Sequence, residues 1–192
     1  MQTPHFLVPK TVPFYQRLKL LDPTKYTEFI YPTSAKLSPI AQSPVKYHAP
    51  DSPTPGIPAN PRMQVARLYL QLGTYLDYWT GEHEPSLSEA LRNNPRPADA
   101  LPSAHRAIFP QLLVTPDWPR VMFVHGSKDT AVPTDGSRVM HALLRTAEVE
   151  SVLCIVEGEK HTFDLKGDGV EAKFGRLFDE SAEFLRSALV DA

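Results

Sequence analysis

VMFVHGSKDTAVP, residues 121–133, and SVLCIVEGEKHTF, residues 151–163, share one plan: an apolar run that gives way to a polar, glycine-containing loop. Runs this short and this continuous predict strands covered on both faces, Val121 to Val124 and Ser151 to Val156. Between them, Val139, Met140, Leu143 and Leu144 recur at helical spacing, and Asp135 stands where a helix cap is needed; this predicts a helix over 136–146. After them, Phe174, Leu177, Phe178, Leu185, Ala188 and Leu189 mark one stripe of a long helix over 171–189. Strand, helix, strand, helix is the order of an α/β fold with a parallel sheet and a right-handed crossover. Two strands alone do not make a stable parallel sheet, so further strands are expected beside them.

The chain upstream has a different texture. Of 20 prolines, only Pro133 lies beyond Pro119. Residues 1–61 are interrupted by proline too often for long helices or central strands. Interleaved aromatics such as Phe14, Tyr26, Phe29, Tyr31 and Tyr47 favour an irregular wrap on a core over a disordered linker. One helical turn is expected near residues 15–21. Residues 62–80 read as a single helix, with Val65, Leu68, Tyr69, Leu72, Leu76 and Trp79 apolar and Gly73 a small weakness within it. Ser86-Leu-Ser-Glu89 is a capping box that opens a short helix before Pro95. The expected organisation is a wrap at 1–61, a helical segment at 62–109 and an α/β portion at 110–192.

Composition excludes several classes. The 192 residues carry a net charge of -2, which gives no electrostatic reason to expect nucleic acid or an anionic membrane as partner. No segment is long and apolar enough to span a membrane. The N-terminus lacks the basic-then-apolar pattern of a secretory signal, so a cytoplasmic location is expected if Met1 is the true start. The one cysteine, Cys154, cannot form an internal disulfide and reads as a buried strand residue. No Cys/His spacing suggests a metal, and no glycine-rich loop suggests a nucleotide, so no cofactor is expected.

The chemistry should lie in the loops at the carboxyl ends of the two strands. Adjacent parallel strands place those loops side by side, so Asp129 and His161 can meet. The carboxylate would then hold Nδ1–H of the imidazole and leave Nε2 as a general base.

HG-x-x-D-x-x-V-P followed by G-x-x-H-x-F, at Asp129 and His161, resembles the C-terminal end of the α/β-hydrolase family. The esterase/lipase and prolyl-oligopeptidase-like branches are the nearest in pattern. The resemblance covers residues 110–189, and residues 62–109 are similar, less specifically, to helical lid insertions. It implies a partial α/β-hydrolase fold, Asp129 and His161 as catalytic acid and histidine, and hydrolysis of a small-molecule ester or peptide acyl group. The family's serine sits on a G-x-S-x-G elbow, and no such sequence occurs here. The chain is therefore expected to be the C-terminal portion of a longer hydrolase, from a truncated or split gene, and inactive alone. The rival expectation is a non-catalytic remnant acting as an interaction module, with a sheet edge open to self-association.

Other residues have blander readings. His125 reads as a strand-end residue, because a base needs an orienting acid within reach. Ser127 lies in the acid's own loop without an elbow behind it. Asp135 fits a cap better than a catalytic acid, and Asp164 and Asp168 belong to the loop before the last helix. Tyr69, Tyr75, Tyr78 and Trp79 could line an acyl pocket, but their helical spacing fits ordinary packing.

Overall fold

The computed structural model describes residues 15–17, 19–38, 47–53, 60–165 and 169–190, without the side chains of 188–190. Much of the expected wrap, Asp168, and the side chains of Ala188 and Leu189 lie outside the described residues. The chain divides into two compact units, Met1–Ser103 and Ala104–Ala192.

In the first unit, the proline-rich segment is more regular than expected. It holds 3-10 helices at Pro23–Phe29 and Thr33–Lys36. The first begins because Pro23 has a preset φ and Asp22 caps it, Oδ1 accepting from Thr24 N at 3.0 Å and from Thr24 Oγ1 at 2.8 Å. Near the expected turn at 15–21, Tyr15 is helical and Gln16 and Arg17 form a turn, whereas residues 19–21 are extended or irregular.

The single helix expected over 62–80 is two helices, α1 (Arg62–Leu72) and α2 (Tyr75–Thr80). Gly73 is the cause. It adopts the left-handed conformation, φ 71°, and its N–H and that of Thr74 close on the carbonyls of Leu70 and Tyr69. That is a helix terminator, which glycine provides at no Cβ cost. Beyond the break the helical register no longer continues, and Trp79 is 59% exposed, not packed on the expected apolar face.

The tyrosines of these helices hold the preceding segment. Tyr69 donates its hydroxyl to Phe29 O at 2.7 Å, Tyr78 accepts from Tyr31 N at 2.8 Å, and the two rings stack with centroids 3.6 Å apart. Burial, with Tyr78 beside it, pushes the Tyr69 hydroxyl up to about 12, so it remains a neutral donor. The serine half of the capping box forms at α3 (Leu87–Asn93), where Ser86 Oγ accepts from Glu89 N at 3.0 Å. The same hydroxyl donates to buried Asp77, whose other oxygen accepts from Ser88 N at 2.6 Å. A short α4 follows at Pro97–Ala100.

The second unit is built on β1 (Val121–Gly126), α5 (Asp135–Thr146), β2 (Ser151–Val156) and α6 (Val170–Val190). β1 and β2 pair in parallel, Val121 opposite Ser151 through Gly126 opposite Val156. α5 packs on both strands, with Leu144 fully buried. Its first residue is Asp135, and the cap position falls to Thr134; no side-chain hydrogen bond caps it. Asp135 instead places a charge in the first turn, where the helix dipole favours it. Arg120 joins the amino ends of the sheet to α6, pairing with Glu150 while its guanidinium lies 4.5 Å from the Phe184 ring centre.

The strands are less buried than their apolar runs predict. Val124 and Val152 are each 39% exposed, and Cys154 is half-buried. Strand alternation and the register put all three on one face. Leu185, expected on the apolar stripe of α6, is also exposed.

Truncation separates these cases. Leu144→Ala should cost about 2–5 kcal/mol, the range for a fully buried leucine. Leu185→Ala should stay within about 0.5 kcal/mol of wild type, as surface changes do. Urea midpoints at unchanged slope check both.

Candidate functional site

The parallel register ends both strands at the same level, and the two following loops lock together. Ser127 N–H donates to Val156 O at 3.0 Å, Lys128 N–H to Glu159 O at 2.8 Å, and Ser127 Oγ accepts from Gly158 N at 2.8 Å. Gly126 makes this approach possible. A Cβ there would lie 2.5 Å from Glu159 O and 2.9 Å from Lys160 O, both backbone atoms that cannot swing aside.

The first loop turns tightly on its acid. Oδ1 of Asp129 accepts from the N–H groups of Ala131 and Val132, each at 2.8 Å. The second loop is anchored by Phe163, whose ring meets that of Phe174 on α6 edge-on at 5.0 Å, and by Lys173 bound to Glu159 at 2.6 Å. Thr162, directly after the histidine, takes a left-handed φ of 59°, unusual for a β-branched residue, and its hydroxyl donates to His161 O. The chain thereby reverses just beyond His161.

These constraints bring the two sequence-derived candidates together across 32 residues: His161 Nδ1 lies 2.9 Å from Asp129 Oδ2. The Asp129 side chain is 6% exposed and that of His161 is 50% exposed. Burial pushes the Asp129 carboxyl up, but the Val132 amide, His161 and the Ala131 amide together hold it below its ordinary value. An ionised carboxylate only accepts, so the proton of the pair belongs to His161 Nδ1. In a neutral ring Nε2 then carries the lone pair, and no described residue bonds to it.

His125 stands at the strand end, as the sequence suggests, but an acid is within its reach. Its Nε2 is 3.2 Å from Asp129 Oδ2 and 3.2 Å from Val132 O, and its Nδ1 is 2.9 Å from Ser137 Oγ on α5. The four-residue spacing from His125 to Asp129 carried the signal, once the loop is known to fold back on the strand end. Ser127 is occupied by Gly158, and no described hydrogen bond links it to His161. Asp164 lies in the turn after His161. Among the described residues, no cluster of His, Cys, Asp or Glu can hold a metal ion, and no helix is long and apolar enough to cross a membrane.

No family model matches the chain, and no solved structure matches it. It is similar to the non-reducing polyketide synthase ausA of Aspergillus calidoustus, at 28% identity over 145 residues, 67% of this chain and 6% of that protein. The chain thus spans a small fraction of the length of the relative it matches.

Two outcomes follow from this geometry. Gly126→Ala should destabilise by about 1–3 kcal/mol, the cost of overpacking against fixed atoms, read as a fall in urea midpoint. For Asp129, a folded pKa below the unfolded one means stability present above about pH 4 and lost as pH falls through that value toward the lower folded one. Asp129→Asn should therefore be less stable than wild type near neutrality, by about 1–3 kcal/mol, with a gap that shrinks at about pH 3. A gap independent of pH would contradict the assignment.

Proposed function

We propose that this chain carries the acid–histidine half of a serine-type acyl hydrolase with a partial α/β-hydrolase fold. The supporting observation is the 2.9 Å contact between His161 Nδ1 and Asp129 Oδ2, with Nε2 left unengaged on a half-exposed ring. In such a site Asp129 fixes the tautomer and steadies the imidazolium. His161 Nε2 takes the proton of a serine hydroxyl as the oxygen attacks an ester or peptide carbonyl, then returns it to the leaving group. With no G-x-S-x-G in the 192 residues, the serine comes from a segment outside them. The substrate class is a small acyl ester or peptide.

The experiment joins genomic sequence to kinetics. An in-frame G-x-S-x-G upstream of Met1 is expected. The polypeptide carrying it should hydrolyse p-nitrophenyl butyrate, with kcat lowered on the order of 10³-fold or more by His161→Ala. Hydrolysis indifferent to His161 would sink the proposal. Turnover by the 192-residue chain alone, lost in both His161→Ala and Asp129→Ala, would place the nucleophile inside the chain and contradict the external serine.

A second reading has one observation in its favour. Exposed Val124 and Val152 share a sheet face, which suits an interaction module that covers them with another chain. Concentration-dependent association abolished by Val124→Lys, without hydrolysis in the longer polypeptide, would favour it.

A further inference from the structure

We propose that His125 is a positioning residue for the acid, an imidazole whose Nε2–H fastens the Asp129–Val132 turn and thereby fixes the tautomer of His161. The inference rests on Asp129 and His161 being the acid–histidine pair proposed above, and it adds a residue that the resemblance does not assign.

The proton on Nε2 of His125 follows from its neighbours. Nε2 faces two acceptors, Val132 O and Asp129 Oδ2, each at 3.2 Å, so Nε2 must carry a proton. Nδ1 faces the Ser137 hydroxyl at 2.9 Å, a group able to donate into the imidazole lone pair. A ring with its proton on Nε2 donates to Val132 O, lies beside Asp129 Oδ2, and leaves Nδ1 to the Ser137 hydroxyl. The ring's side chain is 12% exposed.

The consequence reaches His161 through one residue. Val132 is held twice, its carbonyl by His125 and its N–H by Asp129 Oδ1. His125 therefore pins the far end of the turn whose near end is the acid. The same N–H edge lies beside Oδ2, the oxygen that receives His161 Nδ1. With the turn pinned, the carboxylate has one orientation, and His161 has one place for its proton. Ser137 makes α5 the rigid support behind this arrangement.

Long-range 15N–1H spectra of the full 192-residue chain at neutral pH test the proposal. His125 should read as the Nε2–H tautomer and His161 as the Nδ1–H tautomer. Glutamine places an amide nitrogen near the position of His125 Nε2, whereas asparagine reaches only as far as Nδ1. His125→Gln should therefore keep His161 in its single tautomer, and His125→Asn should lose it to a mixture. A packing role alone would treat the two amides alike. His125 protonated on Nδ1, or His161 responding equally to both substitutions or to neither, would overturn the proposal. Should His125→Asn fail to fold, the wild-type tautomer of His125 still decides it. The spectra need no substrate, so failure of the acyl-hydrolase proposal would appear in the kinetics and leave these tautomers intact, and failure here would leave the kinetics intact.

Discussion

Parallel pairing of β1 with β2 makes neighbours of two loops that are remote in sequence, and every feature of the site depends on how closely they approach. The approach is limited by backbone, not by side chains. Gly126 lies against the carbonyls of Glu159 and Lys160, and the Lys128 amide bonds to Glu159 O. A hydrogen-bonded backbone contact has little slack, so the placement of Asp129 relative to His161 is set by main-chain geometry. Phe163 against Phe174 and Lys173 with Glu159 then hold the second loop to α6. The acid is held by amides of its own loop, and beside it His125 reaches Ser137 on α5.

The electrostatics follow from how many donors surround one carboxylate. Asp129 is nearly buried, yet two amides take one oxygen and imidazole nitrogens face the other. Burial of a charge is tolerable when its lone pairs are filled, and here those hydrogen bonds keep the acid ionised against the effect of burial. His161 differs in that only one of its nitrogens is engaged and half of its side chain meets solvent. A fixed acid and a ring free on its outer side are the asymmetry that general-base chemistry requires.

How much of this was legible in the sequence depended on whether a feature is local. The strand-end runs, the capping box at Ser86 and the helices around the sheet are written in periodicity and spacing, and they lie close to where those patterns put them. So is the meeting of Asp129 with His161, since parallel order alone puts their loops side by side. Gly73 was harder to read because a glycine inside an apolar pattern weakens or ends a helix according to its φ, which tertiary contacts decide. Burial was harder still. Val124, Val152, Trp79 and Leu185 are apolar residues whose exposure depends on what else covers them. The contacts of His125 were not legible because its partners, Val132 O and Ser137, become neighbours only when the turn and α5 have formed.

The central claim is that Asp129 and His161 form one physical unit. A double-mutant cycle tests it most directly, with Asp129→Asn, His161→Ala and the double variant unfolded in urea at neutral pH. Residues in contact couple by about 0.5–3 kcal/mol, and a value in that range is predicted. Additivity within about 0.3–0.5 kcal/mol, as for independent sites, would contradict the account.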